Sequence, residues 1–165
     1  MNKEVLHGMD AVKKVEEMEG RKLSYPEMVV VMEEGFVNQP YKDTKGVTTY
    51  GVGQTGEWMN KPFSAAFAAH EDDVRNLIPD YDYYSDDIKA ALMSAAYRGD
   101  LQQSPKFRKL FIEGNYEAAA DEFLDNDDYR ASKKEGTGVA ERMERVAEAI
   151  RNYQELDEDP LAPTI

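Results

Sequence analysis

Three polar residues in the first third of the chain, Glu34, Asp43 and Thr49, are of the types that hydrolysis of a glycosidic bond requires. In that reaction one carboxylic acid protonates the leaving oxygen, and a second carboxylate activates or replaces the attacking water. A hydroxyl group beside this water can hold it in the reactive orientation. Spacing alone is weak evidence, because such a set also occurs by chance. Its significance depends on the elements that carry the three residues.

The segment before Glu34 has the pattern of a buried helix. Ser24 and Glu27 form a capping-box pair, and Pro26 suits the first turn of a helix. The apolar residues 28–32 continue the helix, and Gly35 is a natural stop. This pattern places Glu34 at the end of a helix.

The segment after Glu34 has the pattern of a β-hairpin. Residues 37–41 and 47–52 are rich in β-branched and aromatic side chains, which favours strands. Residues 43–46, Asp-Thr-Lys-Gly, form a turn signal between them. A helix end, a tight turn and a strand can therefore bring Glu34, Asp43 and Thr49 to one cleft.

The rest of the chain is predicted to be helical. A stripe formed by Ile88, Leu92 and Ala95 marks the expected centre of the core. The predicted helices cover residues 63–78, the segment that follows Ser85, and residues 105–113, 116–124 and 139–150.

The charge and the cysteine and histidine content of the chain exclude several classes of protein. The 165 residues carry a net charge of −13 and include no cysteine and two histidines. We therefore expect neither a metal site nor another cofactor, and no partnership with nucleic acid. No apolar run is long enough to insert into a membrane, and residues 1–18 do not resemble a secretory signal.

The residues around the three polar positions resemble the active-site signature of the phage-type lysozymes, glycoside hydrolase family 24. The signature consists of a Glu-Gly pair, a Tyr-x-Asp turn and a Thr-x-Gly-x-Gly strand. Here these are Glu34-Gly35, Tyr41-Lys42-Asp43 and Thr49-Tyr50-Gly51-Val52-Gly53. Weaker similarity continues through residues 110–124 and an arginine-bearing last helix, so that the resemblance covers about residues 24–150.

The resemblance implies a lysozyme-like α+β fold, mostly helical, with an active-site cleft between two lobes. The lysozyme domain would span residues 24–153, with a small β-hairpin lobe at about 35–60 and a helical lobe at about 63–153. Residues 1–23 would be an N-terminal extension, helical or flexible, and residues 154–165 a loose acidic tail that contains proline.

The resemblance also implies roles for single residues. Glu34 would be the general acid, and Asp43 with Thr49 would activate water on the opposite face of the sugar, with inversion at the anomeric carbon. Gly51 and Gly53 would form the cleft floor for substrate binding, and Arg142 would match the family arginine that approaches the glutamate at a cleft edge. Tyr97 and Arg98 depart from the asparagine or glutamine often found at the substrate face of the family, and both are still expected to line the cleft. The bond cleaved would be the β-1,4 link between N-acetylmuramic acid and N-acetylglucosamine in peptidoglycan.

Two alternatives remain open from the sequence. A lytic transglycosylase needs one glutamate and no water-activating aspartate, so Asp43 and Thr49 argue against it. A virion-associated protein that only binds peptidoglycan could use residues 1–23 as a docking element. An endolysin, expected to be a monomer, would stay in the host bacterial cytoplasm until a holin releases it, whereas the alternative location is the virion.

Three further positions invite a functional interpretation that the pattern does not favour. His70 precedes three acidic residues, and a solvated helix face is expected there instead of a metal site. For Trp58 packing is expected ahead of stacking on sugars. Gln54 stands where many family members carry histidine, and we expect this change to affect local stability more than chemistry.

Overall fold

The computed structural model describes residues 2–157 of the chain, which fold into a mostly helical body with a small antiparallel sheet near the N-terminus. This confirms the predicted lysozyme-like α+β class. In chain order the elements are β1 (Val5–Leu6), α1 (Gly8–Glu19), α2 (Tyr25–Glu34), β2 (Phe36–Lys42), β3 (Thr48–Gly51), β4 (Gln54–Thr55), α3 (Phe63–Leu77), α4 (Asp86–Arg98), α5 (Pro105–Ile112), α6 (Tyr116–Phe123), α7 (Asp127–Glu135) and α8 (Val139–Asp157). Two short 3₁₀ helices, Gly56–Asn60 and Tyr81–Tyr83, join them.

The β lobe is larger than the predicted hairpin. Strands β2 and β3 form that hairpin, and β1 and β4 add one antiparallel strand at each side, in the order β1-β2-β3-β4. The turn is closed by the backbone, since the Asp43 N–H donates to the Val47 carbonyl at 3.0 Å. The two added strands have only two residues each, which is too short for a period-two pattern to reveal them.

The N-terminal segment packs against the body. Helix α1 buries Ala11, Val12 and Val15 within the main apolar core. The Glu19 carboxylate accepts a hydrogen bond from the Ser64 backbone N–H at 2.9 Å, so α1 also caps the start of α3. These contacts fit the helical alternative for residues 1–23, and the domain boundary at residue 24 stays a prediction.

Helix α4 is the centre of the helical lobe, as its apolar stripe predicts. Ile88, Leu92 and Ala95 are all buried, and α4 packs between α2 and α8. The predicted capping box at the start of α2 is also present, because Ser24 and Glu27 exchange side chain–backbone hydrogen bonds. The position of α2 on this core decides where Glu34 lies.

Helix α7 is not predicted from the sequence. Among its nine residues only Ser132 is buried, so the segment lacks the apolar period by which a helix is identified. Its ends are nevertheless well defined, since Asn126 accepts from the Tyr129 N–H at 2.8 Å and Gly136 is left-handed.

The final helix extends beyond the residue at which the tail was expected to begin. Helix α8 continues to Asp157, whereas the expected loose tail starts at residue 154. Residues 158–165 lie outside the described residues. No helix within residues 2–157 combines the length and the apolar character needed to cross a membrane.

Candidate active site

A cleft of about 240 Å³ lies between the sheet and the helical lobe, and all three proposed catalytic residues line it. Glu34, Asp43 and Thr49 reach it from α2, the β2–β3 turn and β3. A larger and mostly apolar groove of about 730 Å³ runs between α2, α4 and α8. That groove includes neither Asp43 nor Thr49, so the smaller cleft is the candidate active site.

Glu34 is held at the end of α2 by a contact with Arg142 of α8. Nη1 of Arg142 donates to Oε2 of Glu34, and the two side chains are only 11% and 17% exposed. Gly35, with φ of 73°, ends the helix and turns the chain into β2. Arg142 therefore contacts the glutamate, although it lines the larger groove and not the cleft at whose edge it was expected.

Arg142 is itself fixed by Ser94 and Glu33. Its Nε and Nη2 donate to the hydroxyl and the carbonyl of Ser94, each at 3.2 Å. The Glu33 carboxylate lies 3.5 Å from Nε and is also paired with Arg145 at 2.8 Å. With partners on several sides, the guanidinium has little freedom to rotate, and its charge stays beside Glu34.

Asp43 stabilises the β2–β3 turn through hydrogen bonds to one of its carboxylate oxygens. Oδ1 accepts from the backbone N–H groups of Lys45 and Val47, both at 2.8 Å. Within the described part of the chain no donor binds Oδ2. The carboxylate is thus oriented by the turn while one oxygen stays available for a water molecule.

Thr49 and Tyr41 complete this side of the cleft. Thr49 is buried, and its hydroxyl donates to the Val47 carbonyl at 3.0 Å, which leaves its lone pairs free to accept. Burial, followed by the negative charges of Glu34 and Asp43, raises the pKa of Tyr41. The phenol therefore remains neutral beside both carboxyl groups.

The two signature glycines have different surroundings. Gly53 lines the cleft with φ of 60°, and a Cβ atom there would collide with Oε1 of Glu34. Gly51 does not line the cleft, although a cleft-floor position was expected. A Cβ at Gly51 would lie 2.7 Å from Oε1 of Gln54. Gly53 therefore makes room for the glutamate, and Gly51 makes room for a buried glutamine.

Gln54 is a structural anchor at the edge of the cleft. Its Nε2 donates to the carbonyls of Trp58 and Lys61, each at 2.8 Å, and its Oε1 accepts from the Val52 N–H at 3.3 Å. These bonds hold the 3₁₀ helix Gly56–Asn60 against β4. This is the local, stabilising role expected for the residue that replaces histidine.

Trp58 lies at the cleft between the two lobes, where packing was expected ahead of stacking on sugars. It is half-buried, lines the cleft, and has the Lys61 ammonium 4.6 Å from the centre of its ring. The tyrosines at the two ends of the 3₁₀ helix Tyr81–Tyr83 do not line this cleft. Tyr81 is buried in the core and Tyr83 is exposed.

Tyr97 lines the cleft, and Arg98 does not. The Arg98 side chain instead pairs with Asp100 at 2.9 Å, which corrects the expectation that both residues line the substrate face. The reason is helical geometry, since successive residues of a helix point about 100° apart. Burial, followed by the charge of Glu34, raises the pKa of Tyr97, whose buried hydroxyl has no partner in the described residues.

His70 also belongs to the cleft, although a solvated helix face was expected. The imidazole is half-buried and stacks on the Tyr97 ring, with 4.1 Å between ring centres and 20° between planes. The acidic residues that follow it point elsewhere on the helix. Among the side chains that the structure describes, residues 2–153, no three histidines, aspartates or glutamates are arranged to hold a metal ion.

The family model for phage lysozyme matches residues 31–146. Since this match covers most of the chain, the protein belongs to the phage lysozyme family. Membership indicates a bacteriophage hydrolase of the lysozyme and endolysin type, with peptidoglycan as its substrate. Among curated proteins no sequence matches this chain.

Proposed function

We propose that the protein is a muramidase that hydrolyses the β-1,4 bond between N-acetylmuramic acid and N-acetylglucosamine in peptidoglycan. The observation that carries this proposal is the convergence of Glu34, Asp43 and Thr49 on one cleft. Two carboxyl groups and a hydroxyl are the groups needed to protonate a leaving oxygen and to direct a water molecule.

Glu34 is the general acid in this mechanism. It protonates the glycosidic oxygen as the bond to the anomeric carbon breaks, and the developing positive charge on the sugar is offset by nearby carboxylates. Arg142 and Gly53 face different oxygens of Glu34, the first through an ion pair with Oε2 and the second by leaving space for Oε1. These contacts support a glutamate with a defined position.

Asp43 and Thr49 direct the water in this mechanism. Oδ2 of Asp43 removes a proton from the water, and the Thr49 hydroxyl orients it toward the anomeric carbon. The fixed Oδ1 and the free Oδ2 of Asp43 support this assignment. Attack from the face opposite the leaving group inverts the anomeric carbon.

The biological role that we propose is lysis of the host cell at the end of infection. The protein would accumulate in the host bacterial cytoplasm as a monomer and reach the cell wall after a holin opens the membrane. A virion-carried enzyme that opens the wall during entry is the alternative. Detection of the protein in purified particles would favour the virion, and its absence there would favour the endolysin.

The enzymatic proposal is tested with purified peptidoglycan and the Glu34→Gln variant. We expect hydrolysis products with a reducing end, whose first-formed anomer is α, and loss of at least about 100-fold in rate for the variant. A 1,6-anhydro product would assign the protein to the lytic transglycosylases instead. A variant as active as the parent would remove Glu34 from the mechanism.

A further inference from the structure

His70 is held in one tautomer by the helix that carries it. Its Nδ1 lies 2.8 Å from the carbonyl oxygen of Ala66, one turn earlier in α3. A carbonyl oxygen can only accept a hydrogen bond, so Nδ1 must carry the proton. In the neutral imidazole Nε2 is then an unprotonated acceptor.

The plane of the His70 ring is fixed as well. The ring stacks on Tyr97 across 4.1 Å, and Tyr97 is anchored in α4 with its hydroxyl buried. The hydrogen bond to Ala66 fixes the rotation of the imidazole, and the stacking on Tyr97 fixes the plane of the ring. Nε2, at the outer edge of the ring, binds no group among the described residues although the side chain lines the cleft.

The cleft presents an aromatic surface together with this acceptor. Trp58 lines the same space of about 240 Å³, so that one bound sugar ring can reach both side chains. A hydrogen-bond acceptor and an indole that line one cleft suit an N-acetyl group, because the amide N–H can donate to the acceptor while the methyl group packs on the indole. The carboxylates of Glu34 and Asp43 are engaged in the proposed chemistry, so another residue must bind the N-acetyl group.

We propose that His70 is a substrate-binding residue whose Nε2 accepts a hydrogen bond from the amide N–H of an N-acetylated sugar in the cleft. The proposal rests on the proposed muramidase function and adds a specificity determinant to it. His70 does not take part in proton transfer. Loss of His70 therefore weakens substrate binding and raises KM, and it lowers kcat much less.

The first test measures binding of tri-N-acetylchitotriose by calorimetry at about pH 8, where free imidazole is neutral. The inactive Glu34→Gln protein serves as the parent, so that the ligand is not cleaved. Adding His70→Phe keeps an aromatic ring on Tyr97 and removes both nitrogens. We expect the Kd to rise about five- to tenfold, as for loss of one hydrogen bond to a bound ligand.

Two further variants separate the acceptor from a structural role. The His70→Gln variant places an oxygen near the former Nε2 and should recover part of the binding, whereas His70→Asn imitates only Nδ1 and should not. His7→Phe changes the one other histidine, which is exposed at the start of α1, and should leave Kd unchanged. Urea unfolding of each variant shows whether a loss of binding merely reflects a loss of fold.

The second test measures the ¹⁵N NMR signals of the ring nitrogens of both histidines, which report the protonation of each nitrogen. The free protein should show His70 with a protonated Nδ1, and saturating chitotriose should shift the His70 Nε2 signal and leave His7 unchanged. An unchanged His70 signal, a Kd for His70→Phe within twofold of the parent, or a parent that does not bind chitotriose would each overturn the proposal. Failure of the muramidase function is recognised separately, by cell-wall hydrolysis that does not depend on Glu34.

Discussion

The guanidinium group of Arg142 binds the carboxylate of Glu34, although the two residues are 108 positions apart in the chain. The contact joins the end of α2 to the first turn of α8 across the helical lobe. It is largely shielded from solvent, so that it is screened less than a surface ion pair. The last helix thus contacts a residue of the candidate active site near the start of the chain.

Replacing Arg142 with alanine should lower both stability and activity. The substitution leaves a largely buried carboxylate without its partner, which costs about 3 kcal/mol in the free energy of unfolding. It also frees the Glu34 side chain to rotate, so kcat should fall by at least about tenfold. Urea unfolding and peptidoglycan turnover measure the two effects.

Arg145→Ala is the matched control for that change. Arg145 lies one turn further along α8, is 59% exposed and pairs only with Glu33 among the described residues. The cost to stability should be below about 1 kcal/mol, with near-normal kcat. Equal losses in the two variants would contradict a special role for the Arg142–Glu34 contact.

Alanine at Gly53 should displace Glu34. The new Cβ would overlap with Oε1 of Glu34, and the positive φ adds strain of about 1 kcal/mol. Gly56→Ala provides the comparison, because its φ of 56° is nearly the same and no atom lies within 4 Å of the new Cβ. Both variants should lose stability, and Gly53→Ala alone should lose most of its kcat. Retained activity in Gly53→Ala would show that the glutamate tolerates the displacement.

Two substitutions at Asp43 should separate its turn-forming role from its proposed catalytic role. Asparagine keeps an oxygen that can accept from the N–H groups of Lys45 and Val47, so the thermal midpoint should change little. Its amide cannot act as a base, and kcat should fall by about 100-fold or more. Alanine should lower the midpoint as well as the rate. Full activity of the asparagine variant would exclude Asp43 from water activation.

Glu27 should contribute to stability at neutral pH and lose that contribution in acid. Burial would raise the pKa of this carboxyl, but hydrogen bonds from Arg21 and Ser24 outweigh burial and lower it. A lowered folded-state pKa means that the stabilisation is present above the ordinary pKa of glutamate and is lost as pH falls through the folded value. Glu27→Gln should therefore cost about 1 kcal/mol at pH 7, and the difference should shrink below about pH 4.

Denaturant unfolding across this pH range measures the effect. Glu17→Gln is a suitable control, since Glu17 is an exposed residue of α1 that makes no ion pair with any described residue. Its unfolding free energy should differ from the parent by less than about 0.5 kcal/mol at every pH. A constant difference for Glu27→Gln down to pH 3 would contradict the lowered pKa.

The sequence alone was sufficient to predict features that depend on residues close together along the chain. The capping box of Ser24 and Glu27, the stop at Gly35 and the turn at Asp43 each involve hydrogen bonds within about four residues. The apolar stripe around Leu92 identified the core helix for the same reason, because its period is a property of one segment. The signature around Glu34, Asp43 and Thr49 was readable as well, since it is contained in one short stretch.

The tertiary structure decided which side chains meet across elements. It placed Tyr97 at the cleft and Arg98 against Asp100, and it stacked His70 on Tyr97. It also brought Arg142 to Glu34, because helix α8 docks with the face that carries Arg142 toward the end of α2. Hydrophobic periodicity specifies which face of a helix is buried, but the rotation and tilt with which two helices dock depend on the packing of all their side chains together.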